Sequence, residues 1–242
     1  CNYYPFLSAT FFSRSPTLLV EEFIDGYEFG AQTFSVNGKC KVILIHNDEM
    51  SSPPFMVPLG HSFPSILPKT IINRSKKIIR DSLKALGIVN GPANIDLMMD
   101  KNKKIKVIEI GARIGATCLP ELVFYHTGIN FTEAAILAAC GKKTNLKIKS
   151  LKPCSAYILH SDKGGIMKNY KIINAFKKNP NILEWEVTSK PGDKILPLTK
   201  GTDRIGKVIT KGKSVKDAEN LAKKFKLAFK IHVIKSNKKY IL

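Results

Sequence analysis

No apolar run in this sequence comes near the ~18 to 20 residues that a membrane-spanning helix needs; runs such as Val42-Ile43-Leu44-Ile45 stop after a handful. The reading is therefore of a chain with no membrane partner. Cysteine is scarce and badly spaced for structural work. The five (Cys1, Cys40, Cys118, Cys140 and Cys154) contain no CxxC pair and are odd in number, which favours neither a zinc knuckle nor a closed disulfide framework. Without a signal-peptide pattern, the expected compartment is the reducing cytoplasm. Arginine is thin as well: only Arg14, Arg74, Arg80, Arg113 and Arg204 among 39 basic residues. Arginine is the side chain suited to bidentate reading of phosphates and bases, so its shortage argues against specific nucleic-acid recognition. An initiator Met is missing too, and the chain opens in mid-pattern, which suggests that further residues precede Cys1.

What is present is a core and an uneven charge. Hydrophobic residues make up 44% of 242 positions, enough for one large or two ordinary domains. Of the net charge of +20, residues 1–141 contribute +2 (14 Lys+Arg against 12 Asp+Glu) and residues 142–242 contribute +18 (25 against 7). The expected division follows that break. A basic second half fits a polyanion partner or, more plainly, a solvated lysine-rich surface.

Periodicity supplies the elements. Strands are expected over 17–24, from Leu18 through Val20, Phe23 and Ile24, then over Glu28–Val36 and Lys39–His46, the last two joined by the hairpin signal Asn37-Gly38. Residues 47–68, with five prolines, read as a long loop. Ile71–Leu86 reads as a helix stopped by Gly87, Ala93–Met99 and Ile105–Ile110 as strands, and Pro120–His126 and Phe131–Cys140 as short helices. After the linker 142–152 come strand Ser155–His160, helix Ile172–Lys178, strands near Trp185 and over Ile205–Ile209, helix Ser214–Phe225 and strand Phe229–Ile234. Cys118 and Cys140 read as small core residues, His61 as a solvated loop histidine, and Trp185 as core of the second half.

One carboxylate stands out. Glu109 lies in the apolar run "KVIEIGARIGAT" (106–117), where an unpaired charge is costly to desolvate. If residues 101–104 form a four-residue turn, Asp100 faces Ile105, Met98 faces Val107 and Asp96 faces Glu109. Like charges in directly opposite positions, ~4.5 to 5.5 Å apart at Cβ, are destabilising. At about 5 Å and an effective dielectric of ~20 the repulsion is about 3 kcal/mol. A divalent cation would reverse its sign, and Mg²⁺ takes one or two carboxylates together with water and phosphate oxygens. The other readings are a register shifted by one, a wet face, or pairing with lysines.

The segment "NIDLMMDKNKKIKVIEIGARIGA" resembles the metal-binding segment of the ATP-grasp superfamily, and "LLVEEFIDGYEFG" resembles the adenine-binding strand of the same superfamily. The resemblance covers residues 17–141, and the C-terminal part is similar, less specifically, to the last lobe of ATP-grasp amino-acid and peptide ligases. It implies an α+β fold: an ATP-grasp C-terminal subdomain, an antiparallel sheet with flanking helices, over 1–141, incomplete at its start, and a smaller basic α+β lobe over 142–242. It implies ATP and Mg²⁺, or Mn²⁺ in its place, as cofactors, with Asp96 and Glu109 as metal ligands. Adenine would meet the stretch Glu21, Glu22, Phe23 and Ile24, chiefly through the backbone of Glu22 and Ile24, and ribose hydroxyls would meet Glu28. Arg113 would be the catalytic cation, steadying the transferring phosphoryl group or the oxyanion; the bland alternative is a salt bridge to Glu121. The family pattern most often has Asn two residues after the Glu, where this chain has Gly111, so a second metal would lose a ligand. The implied activity is an ATP-dependent carboxylate-amine ligase acting through an acyl phosphate, its partners being a small-molecule carboxylate, an amine, and N-terminal domains of the same protein. The rival reading is a polyanion- or nucleic-acid-binding module built on the C-terminal lysines.

Overall fold

The computed structural model describes residues 20–234. Its elements run β1 (Gly26–Val36), β2 (Lys39–Met50), β3 (Pro58–Phe63), α1 (Lys69–Ala85), β4 (Gly91–Asp100), β5 (Ile105–Gly111), α2 (Leu119–Thr127), α3 (Phe131–Ala139), β6 (Cys154–Leu159), β7 (Gly165–Lys171), α4 (Asn174–Lys177), β8 (Ile182–Val187), β9 (Lys194–Ile195), β10 (Gly206–Lys211), α5 (Val215–Ala228) and β11 (Lys230–Ile234), with one turn of 3₁₀ helix before β10. Eight strands form one antiparallel sheet in the order β5-β4-β1-β2-β3-β6-β10-β8, and β11-β7-β9 form a second. The large sheet runs through the change of charge at residue 141, since β6, β8 and β10 all lie beyond it.

The two faces of the large sheet are covered differently. Phe29 and Ala31 on β1, with Ile45, Ile95 and Leu97, bury against Ile71, Ile79 and Leu83 of α1. Phe34, Leu44 and Phe63 meet α2 and α3 through Leu119, Leu122, Val123 and Phe131. Side chains alternate along a strand, so an odd-numbered β1 row and an even-numbered one point to opposite faces. A third cluster, around Met167, Val208 and Phe225, joins α5 to the small sheet, and Trp185 packs on Phe225 in it.

Several expected elements differ. Residues 20–25 form no strand, and Leu18, which opens that expected strand, lies outside the described residues. Val20 and Phe23 are exposed, and the ladder to β4 begins only at Gly26, so the earlier segment lies outside that ladder. The Pro-rich stretch 47–68 is not all loop: β2 continues to Met50, and β3 runs between Pro58 and Pro64, both at its ends, where a missing N–H costs no ladder bond. The helix expected over Ile172–Lys178 shrinks to α4, and β7 precedes it. Leu86 falls outside α1 and is exposed, and α1 buries Ile71, Ser75, Ile79 and Leu83. Gly87 does stop the helix, at φ +67°, where glycine carries no Cβ penalty.

The β4–β5 hairpin reaches its register by an unexpected route. Met99, not Asp100, faces Ile105, so the turn is one residue longer than four. Asp100 holds it, its Oδ1 accepting from the N–H groups of Asn102 and Lys104. Leu97 then faces Val107, and a bulge at Ile108 restores the pairing of Asp96 with Glu109.

Candidate functional site

Pairing across the sheet builds one row of side chains from four strands. Gly30 on β1 faces His46 on β2 and Asp96 on β4, and Asp96 faces Glu109 on β5. Directly opposite residues share a face, so His46, Asp96 and Glu109 rise on the same side, with Gly30 between them. The neighbouring rows hold Gln32 with Asn94, and Glu28 with Met98. Asp48, two residues from His46, faces His61 on β3.

A chain of hydrogen bonds leads to Asp96. The Gly115 N–H donates to Gln32 Oε1 (3.0 Å), Gln32 Nε2 donates to Asn94 Oδ1 (2.5 Å), and Asn94 Nδ2 donates to Asp96 Oδ1 (3.0 Å). Gly115 makes this possible: a Cβ there would lie 2.6 to 2.8 Å from Leu119, Gln32 and Asn94. Burial raises the Asp96 carboxyl, with Asn94 pulling against it and Asp48 and Glu109 adding to it. Burial likewise pushes Glu28 up to about 7, with help from Asp48 and Asp96. The carboxyl groups of Glu28, Asp48 and Asp96 thus act on one another across these strands, in a chain that is strongly basic overall.

Next to it sit two imidazoles on one carboxylate. Asp48 Oδ1 accepts from His46 Nδ1 (2.6 Å) and from His61 Nδ1 (2.5 Å), and both rings are buried. Burial alone would raise Asp48, but the two rings hold it well below the usual carboxylate range. Burial foremost lowers His61, which keeps that ring neutral. An ionised carboxylate only accepts, so both histidines present an Nδ1–H to it. The His46 ring leans over Gly30, with Nε2 2.5 Å from where a Cβ would stand. This Nε2 is buried and has no hydrogen-bond partner among the described residues.

The residues marked in the sequence fall as follows. Glu21, Glu22, Phe23, Ile24 and Glu28 together line a cavity of about 530 Å³ with Met98, Lys106, Val107 and Ile108. Lys106 reaches Glu22 at 3.6 Å across it. Asp96 is half-buried, and Glu109 is exposed. Arg113 is exposed beyond β5, donating to the Ile114 carbonyl (3.0 Å), and its side chain lies over Gly111. It does not pair with Glu121, which Lys207 holds at 2.7 Å. His61 is not a solvated loop residue but a buried strand residue, because β3 was hidden in the Pro-rich stretch. Cys118 packs half-buried against the α2–α3 core, whereas Cys140, past the end of α3, is exposed rather than core. Gln32, His46, Asp48 and Asn94 went unmarked in the sequence. Their signal was parity: each stands an even number of residues from Glu28 or Asp96, or two from another polar residue, inside otherwise apolar strands.

Residues 8–121 match the family model of the ATP-grasp domain, and residues 157–233 match that of L-amino acid ligase C-terminal domain 2. A crystal structure of phosphoribosylglycinamide synthetase from Anaerococcus prevotii superposes with a TM-score of 0.78 at 30% identity, covering 88% of this chain and 55% of that one. The L-amino acid ligase from Bacillus licheniformis does so with a TM-score of 0.76 at 26% identity, covering 89% and 53%. The L-arginine-specific L-amino acid ligase of Bacillus subtilis is 21% identical over 183 residues, 73% of this chain and 43% of its own length. The chain thus spans about half the length of the proteins it matches. Two family matches in series, and an antiparallel sheet that superposes on those solved structures, place this chain in the ATP-grasp superfamily.

Proposed function

We propose that this chain holds the nucleotide and metal of an ATP-dependent carboxylate-amine ligase, in which the acid is activated as an acyl phosphate and captured by an amine. The observation that carries the reading is the facing pair Asp96 and Glu109 at one end of a polar row, next to a cavity lined by Glu21 to Ile24 and Glu28. The donor set fits a hard divalent cation, because two carboxylates that accept and cannot donate share one face. Bound there, such a cation supplies charge neutralisation for phosphate oxygens. The protein's own part is positioning, which is most of what phosphoryl transfer requires. The backbone of Glu21 to Ile24 offers groups for a purine edge, and the Glu28 carboxyl, on the same cavity, accepts from ribose hydroxyls. Arg113, exposed and held among the described residues by a neighbouring carbonyl, can turn its remaining N–H groups to a phosphoryl oxygen or an oxyanion. On this reading residues 1–141 carry the nucleotide site and residues 142–242 extend its sheet. The amino-acid ligases among the matched proteins support an amino acid as one substrate.

The test is calorimetric titration of the 242-residue chain with ADP in Mg²⁺ or in EDTA. Binding that needs the cation and is lost in the Asp96→Asn, Glu109→Gln double variant is expected. Binding indifferent to both overturns the reading. Hydroxylamine capture of an activated carboxylate, in ATP with mixed amino acids, reads the ligase step itself. Duplex DNA binding is expected only in the weak range of ~10⁻⁴ to 10⁻⁶ M at physiological salt. Tight, sequence-dependent binding would favour the polyanion reading.

A further inference from the structure

Two imidazoles and a carboxylate converge on one point beside the polar row. His46 Nδ1 lies 2.6 Å, and His61 Nδ1 2.5 Å, from the same oxygen, Oδ1 of Asp48. Donor atoms of the three residues all lie within 4.8 Å of one another. Strand pairing fixes this approach: Asp48 faces His61 across β2 and β3, and His46 stands two residues before Asp48, on the same face. The rings stand edge to face, with centroids 5.0 Å apart at 77°, so their Nδ1 edges meet at Asp48 without stacking. All three side chains are more than nine-tenths buried. A carboxylate has a second oxygen to offer, yet both rings meet the first, which sets two nitrogens and one oxygen around a common centre. One side of the cluster stays open, because Asp48 and His61 border a cavity of about 140 Å³.

We propose that His46, Asp48 and His61 bind a zinc-class divalent ion, through Nδ1 of each ring and the Asp48 carboxylate, at a site separate from Asp96 and Glu109. The site does not depend on the metal reading of those two acids. Its donor set selects the ion: Mg²⁺ is hard and takes oxygen ligands, whereas two imidazoles with one carboxylate suit Zn²⁺ and its neighbours. Three protein ligands leave the fourth corner of a tetrahedron for water or a small ligand, and the cavity provides the room. The ion takes the place of the two Nδ1 hydrogens, each of which leaves to solvent or moves to Nε2 of its ring, since only a nitrogen without its hydrogen can coordinate. Bound there, it ties β3 to β2 through side chains as well as through the ladder.

The experiment is titration of the full chain with Co²⁺, a visible probe of zinc sites, followed by X-ray absorption of the Zn²⁺-loaded protein. The strong visible absorption of four-coordinate cobalt is expected, and excess Mg²⁺ should leave it in place. His46→Gln, His61→Gln and Asp48→Asn should each weaken Co²⁺ by roughly tenfold or more, while the Asp96→Asn, Glu109→Gln double variant should leave it unchanged. X-ray absorption needs no substitution, so it decides the question even where a variant fails to fold: two imidazoles in the first shell of the wild-type zinc are expected. A shell of oxygens alone overturns the proposal, as does a wild type that gives no four-coordinate cobalt signal. Co²⁺ binding that survives all three single substitutions and disappears in the double variant overturns it too, and leaves the two acids as the cation site.

Discussion

Asp96 and Glu109 face one another because Ile108 is left out of the ladder between them. Without that bulge the five-residue turn would set Asp96 against Ile108, and Glu109 would turn to the face where Ile95, Leu97 and Ile110 pack under α1. The bulge sends the carboxylate to the cleft and leaves Ile108 half-exposed on the cavity wall.

Asp96→Asn is expected to stabilise the metal-free protein while weakening Mg²⁺ binding. Burial already disfavours the charged form of Asp96, and neutralising it removes that cost and the repulsion from Glu109 and Asp48. Glu109→Gln should act in the same direction but less, by ~1 kcal/mol or under, because Glu109 is exposed and its charge is screened. Thermal melting with and without Mg²⁺ checks this. Lower melting of both variants in EDTA, with equal Mg²⁺ shifts for all three proteins, would rule out a metal pair.

Stability should fall as pH rises from near 4.5 to about 7, the interval between the ordinary and the folded value of Glu28. The folded state holds that proton more tightly than the unfolded chain, so folding is favoured below the interval and loses that advantage across it. Glu28→Gln should flatten this part of the profile and raise the melting temperature at pH 8. Urea unfolding at pH 5 and pH 8 measures it. A slope unchanged by the substitution would show that Glu28 is ionised normally.

Gly115→Ala should destabilise by about 1 to 3 kcal/mol, as overpacking does. The added methyl would press on Leu119, Gln32 and Asn94 at once. Because Asn94 donates to Asp96, metal affinity should drop with stability. Chemical denaturation and Mn²⁺ titration of the same sample read the two effects.

Lys207 bridges Glu121 of α2 and Glu184 of β8, both at 2.7 Å. Burial opposes its charge, but the two carboxylates hold its pKa well above the ordinary lysine range. Lys207→Met leaves two acids facing each other and should cost about 1 to 2 kcal/mol, a figure discounted for the partial exposure of both partners. Equilibrium unfolding checks it, and the loss should be largely recovered when Glu121→Gln is added.

The sequence by itself determined the elements whose signal is local. The Asn37-Gly38 hairpin, α1 with Gly87 at its end, and the start of α5 at Ser214 all follow from spacing and turn chemistry within a few residues. Tertiary structure alone decided whatever depends on partners distant in the chain. Two local misreadings, a turn one residue too short and a missed bulge, cancelled at Asp96 because a buried face under α1 admits only one register. The hidden strand β3 exists because β2 and β6 flank it, and with it His61 moves from solvent to the Asp48 carboxylate. His46 looked like an ordinary residue at a strand end. Only the sheet brings Gly30 beside it and Asp96 beyond, since cross-strand neighbours are fixed by pairing and not by sequence distance.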